Sequence, residues 1–66
     1  MGDNRASYEI RLLNAAGGTV MLYFTQCAND EDALDRLRNL KNVEYDRYEI
    51  WQDMRKTGEG ERPPPP

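Results

Sequence analysis

The sequence predicts a small α+β domain of element order β-β-α-β, a three-stranded sheet with one helix packed on one face. Three observations predict it. Apolar and charged residues alternate over 8–12, a β-branched and aromatic run fills 19–26, and Ala33, Leu34, Leu37 and Leu40 recur at helical spacing behind an acidic start. Of the 25 apolar residues in this 66-residue chain, 23 fall within 7–54. One domain is therefore expected over 7–54, between a disordered N-terminus at 1–6 and a disordered Gly/Glu/Pro tail at 55–66. A chain this short builds one hydrophobic core at most.

The first strand is Tyr8-Glu9-Ile10-Arg11-Leu12-Leu13, with Tyr8, Ile10 and Leu12 on one side. Gly17 and Gly18 supply the positive φ that a hairpin turn requires. The second strand, 19–26, is apolar on both sides: Val20, Leu22 and Phe24 on one, Met21 and Tyr23 on the other. Its sequence leaves the inward side open, and Leu22 and Phe24 are expected inward. Asn29 caps the helix, with Asp32 three residues on as its capping-box partner. Asp30, Glu31 and Asp32 fill the first turn and Arg36, Arg38 and Lys41 fall late, matching the helix dipole. The helix is expected to stop near Asn39–Asn42, where asparagine tolerates left-handed backbone. Residues 44–52 form the third strand. A helix that returns the chain to the sheet by a right-handed crossover places this strand antiparallel to the first, in the order 2-1-3. The expected core is Ile10, Leu12, Leu22, Phe24, Ala33, Leu34, Leu37, Leu40, Tyr48 and Ile50.

Tyr8-x-Ile10-x-Leu12-Leu13, a glycine turn, Cys27-x-x-Asp30-x-x-Ala33 and Glu49-Ile50-Trp51-Gln52-x-x-Arg55 stand in this order. Over residues 8–55 the chain thereby resembles a group of short, functionally uncharacterised bacterial proteins, mostly alphaproteobacterial. The resemblance implies a bacterial cytoplasmic origin and a compact α+β domain, and it implies no activity. The proline tail and the longer helix-to-strand connection depart from that group.

The composition excludes several function classes. The chain has no histidine and one cysteine, Cys27. That removes the commonest general base, an internal disulfide and any Cys-His nucleophile or zinc site. So small a domain without disulfides is expected in a reducing cytoplasm. No apolar run approaches the ~20 residues of a membrane span, and residues 1–7 lack a secretory signal core. Residues 7–54 carry nine carboxylates against five bases, so no positive field for nucleic acid is expected. No catalytic residue, cofactor, metal or small-molecule substrate is expected, because a three-stranded sheet with one helix leaves little room for a pocket.

Most local features have structural explanations. The acidic group Asp30, Glu31, Asp32 and Asp35 lacks calcium-loop spacing and reads as a dipole-matched helix start. Cys27 reads as a small buried hydrophobe, and Arg62 with Pro63 to Pro66 as a solvated tail. Gly17-Gly18 is a turn, since no helix bearing Lys-Ser/Thr follows it. What remains is the uncovered sheet face. Leu13, Met21, Tyr23, Tyr45 and Trp51 are expected to cluster there, edged by Glu9, Arg11, Arg47 and Glu49. Trp, Tyr, Met and Arg are enriched in interface centres. The second strand's edge, free of proline and charge, invites strand pairing. The expected function is a non-enzymatic protein-interaction module, a small regulatory or accessory protein. It would form a homodimer or dock a protein partner through the uncovered face or that edge, using Met21, Tyr23, Tyr45, Arg47 and Trp51. The alternative is a small acidic inhibitor that mimics nucleic acid and blocks a basic surface.

Overall fold

The computed structural model describes residues 5–63. They form β1 (Ala6–Leu13), β2 (Thr19–Cys27), α1 (Asp30–Arg38), β3 (Arg47–Gln52) and β4 (Arg55–Glu61). The sheet order is β2-β1-β3-β4, and every neighbouring pair is antiparallel. The expected order of the first three strands holds, but the sheet has four strands instead of three. Residues 55–61 are therefore not a disordered tail. Residues 1–4 and 64–66, where a disordered start and the end of the proline run were expected, lie outside the described residues.

The strand β4 forms without a single apolar side chain because β3 supplies the packing. Asp53 adopts φ 57° in the two-residue connection, a region aspartate tolerates better than most residues. Gly58 and Gly60 pair with Ile50 and Tyr48. A Cβ on Gly60 would lie 3.0 Å from the Tyr48 hydroxyl oxygen, so the ring covers bare glycine backbone. Arg62 N–H donates to the Asp46 carbonyl at 2.9 Å and closes the far end of the ladder.

The hairpin β1–β2 carries a bulge that decides which side of β2 faces the core. Leu13 pairs with Thr19, but Leu12 pairs with Met21, leaving Val20 as the extra residue. Continuing the Leu13–Thr19 register without that slip would set Leu22 opposite Ile10 and Phe24 opposite Tyr8. With it, Ile10 faces Tyr23 and Tyr8 faces Thr25. A one-residue shift moves every side chain to the opposite sheet face. The expected placement is corrected accordingly. Leu22 and Phe24 are exposed, whereas Met21 and Tyr23 pack toward the helix.

The helix α1 starts and stops as its sequence predicts. The Asn29 side chain accepts from Asp32 N–H at 2.8 Å, and the Asp32 carboxylate accepts from Ala28 N–H at 3.0 Å. That reaches one residue further back than a standard capping box. Asn39 ends the helix, its N–H donating to the Asp35 and Arg36 carbonyls. Ala33 and Leu37 are the residues α1 buries. They meet Tyr8, Ile10, Leu12, Cys27, Tyr45 and Ile50 in the core, while Leu34, Leu40 and Tyr48 pack at its margin.

Candidate functional site at the open face and free edge

The helix covers one face of the sheet and leaves the other open. Strand register places Glu9 and Arg11 of β1 between Phe24 and Leu22 of β2 on one side and Trp51 and Glu49 of β3 on the other. The β1–β3 half of this face is internally saturated. The Arg11 guanidinium lies over the Trp51 ring, 4.3 Å from its centroid, and Arg11 is ion-paired with Glu9. Trp51 Nε1 donates to Glu49 Oε1 at 3.0 Å, and Lys56 joins Glu49 (3.8 Å) to Glu59 (2.8 Å). Each charge in this ladder has a partner within the chain.

The β2 half is different. Four large hydrophobic side chains are exposed among the described residues, and three belong to β2: Val20 (46%), Leu22 (48%) and Phe24 (69%). The strand is also a sheet edge. Asn14 N–H donates to the Gly18 carbonyl at 2.8 Å, and Arg62 N–H to the Asp46 carbonyl. Backbone polar groups alternate in direction along a strand, so those two bonds set the direction throughout the sheet. Even-numbered β1 residues turn toward β2 and engage Met21, Tyr23 and Thr25. Leu22, Phe24 and Gln26 aim their N–H and C=O groups off the edge. A shallow hollow of about 380 Å³ opens beside Phe24, between Gln26, Ser7 and Asp53.

The five interaction residues named from sequence do not share one surface. Trp51 and Arg47 lie on the open face. Met21 and Tyr23 are half-buried on the helix side, and Tyr45 is buried in the core with the Arg62 guanidinium 5.1 Å from its ring centroid. Phe24 and Leu22 are the residues that sequence reasoning missed on this face. The signal was present in the doubly apolar β2, but the bulge that selects its outer side has no strong sequence signature.

The titratable groups with displaced pKa values sit mainly in the core. Cys27 is fully buried, which pushes its thiol up, and Asp32 adds to the effect. The Tyr8 hydroxyl donates to Asp30 Oδ1 at 2.8 Å and is pushed up to about 12, by burial first and then by that hydrogen bond and the carboxylate charge. In the unfolded chain tyrosine ionises near its ordinary value of 10.0, below the folded value. The stabilisation is thus complete below pH 10.0 and is lost as pH rises toward 12. Burial shifts Tyr45 in the same direction. Tyr8→Phe should flatten the fall in melting temperature across that window, measured by circular dichroism. An identical slope in variant and wild type would remove Tyr8 from the account.

Among the described residues no three His, Cys, Asp or Glu side chains are placed to hold a metal ion. None of the described helices is long and apolar enough to cross a membrane. No family model, curated protein or solved structure matches this chain.

Proposed function

We propose that this chain is a non-enzymatic protein-interaction module of the cytoplasm, a small regulatory or accessory protein that docks an extended strand onto β2. One observation carries the reading: the two edges of the sheet are built differently. The outer strand β4 bears Arg55, Lys56, Glu59 and Glu61, the charge pattern that blocks edge-to-edge pairing. The opposite edge, Thr19–Cys27, has no charge and no proline and exposes three large apolar side chains. Strand addition there satisfies the outward N–H and C=O groups of Leu22 and Phe24 and covers their side chains in one step. The saturated Trp51–Arg11–Glu9 cluster then forms the polar border of the docking surface.

The test is an NMR titration with a capped, uncharged nonapeptide alternating threonine with valine, leucine and phenylalanine. Amide shifts are expected at Leu22, Phe24 and Gln26, unchanged from low to molar salt, since little charge is involved. Unmoved edge amides at peptide excess would overturn the reading. Capture of polylysine instead, lost at high salt, would overturn it in favour of an acidic mimic.

A further inference from the structure

We infer that the strand received by β2 is the β2 of a second copy, paired antiparallel about Tyr23 into one continuous eight-stranded sheet. This inference rests on the reading of β2 as a docking edge and adds the partner and the register. Two identical edges related by a two-fold axis meet without any like-charge pair, because residues 19–27 are uncharged. Outward backbone groups at Leu22, Phe24 and Gln26 allow symmetric registers centred on each residue from Leu22 to Gln26. Centring on Thr25 or Gln26 sets Leu22 against position 28 or 30, past the end of β2. Leu22, Tyr23 and Phe24 are therefore the centres that pair both exposed apolar residues within the strand.

The flanking charges discriminate among them. Arg11 stands behind Leu22 and Glu9 behind Phe24 on the open face. Centring on Leu22 aligns Arg11 with Arg11 of the other copy in one cross-strand row, and sets Phe24 against the bulged Val20. Centring on Phe24 aligns Glu9 with Glu9 and sets Leu22 against Gln26. Centring on Tyr23 places Leu22 against Phe24 twice. Each row then runs Arg11, Leu22, Phe24, Glu9, with opposite charges at its two ends. Those ends are three strand spacings apart, about 14 Å between backbones, so the charges select a register more than they hold it. On the helix side the two Tyr23 rings meet across a close, non-hydrogen-bonded pair. Centring on Tyr23 is the arrangement in which the exposed apolar residues and the flanking charges both find complements.

The experiment combines sedimentation with disulfide trapping in the full chain, whose own buried Cys27 serves as the blank. Leu22→Cys and Phe24→Cys alter exposed side chains and leave the core intact. A dimer is expected, weakened about tenfold or more by Phe24→Lys. Oxidation should cross-link a mixture of the two cysteine variants. Neither alone should link, because like positions then lie beyond the ~7 Å reach of a disulfide. Linking of Leu22→Cys alone, or of Phe24→Cys alone, overturns the register. A monomer that still binds the nonapeptide overturns the second copy as partner and leaves the docking edge standing. A monomer that ignores the peptide, or a dimer indifferent to Phe24→Lys, overturns both.

Discussion

Leu37→Ala is expected to leave the domain only marginally folded at room temperature. Leu37 is 1% exposed and is, with Ala33, one of two residues that α1 buries. It packs with Ile10 and Leu12, both fixed by strand pairing on either side, and with Tyr45 of the connection before β3. Truncation removes the transfer free energy of the side chain and leaves a void that a pinned sheet cannot close. That combination costs about 3 kcal/mol. A single core of this size holds about 3–5 kcal/mol in all, so most of the folding free energy is lost. Leu34 is only half-buried, and Leu34→Ala should cost about 1 kcal/mol. Urea titration followed by circular dichroism separates the two. Equal midpoints for Leu37→Ala and Leu34→Ala would mean that α1 is not anchored through Leu37.

Cutting the chain after Met54 is expected to destabilise it nearly as much. A disordered tail would make the cut silent. Instead it removes β4, which pairs with β3 over the whole of Arg47–Gln52. The Tyr48 ring loses the glycine backbone it covers, the Ile50 carbonyl loses the Thr57 hydroxyl at 3.3 Å, and Tyr45 loses the Arg62 guanidinium. With a net worth of about 0.5–1.5 kcal/mol per ladder bond, losing the ladder along all of Arg47–Gln52 costs about 2 kcal/mol or more. The exposed pair Lys56–Glu59 lies in the same strand, and Lys56→Ala should change stability by less than about 1 kcal/mol. Thermal melts of the truncated chain and of Lys56→Ala test both statements. A truncated chain that melts like the full one would show that β4 adds nothing to the domain.

Local chemistry made much of this fold legible. The helix start at Asn29, its acidic first turn, the stop at Asn39 and the Tyr8-Ile10-Leu12 face each follow from residue types whose preferences act within a turn or a strand. Two features depend on neighbours instead. The strand β4 reads as Arg-Lys-Thr-Gly-Glu-Gly-Glu, poor in strand formers, and holds because Tyr48 and Ile50 of another strand lie over its glycines. A hint was present in the aspartate placed where a two-residue connection needs positive φ. The inner side of β2 was illegible for a different reason. Both its sides are apolar, so burial could not choose between them, and the choice fell to the bulge at Val20. The candidate site inherited that ambiguity: Trp51 and Arg47 were placed on the open face, while Met21 and Tyr23 exchanged places with Leu22 and Phe24.

The bulge makes the hairpin behave as a parity counter. The segment between Leu12 and Met21 spans a fixed number of residues, and the odd or even value of that number decides which half of β2 is seen by solvent. Insertions or deletions of two residues there conserve the outer surface, and changes of one residue invert it. Loop length, ordinarily the most tolerant property of a small domain, is here the variable that selects between two chemically different exteriors built from the same nine residues.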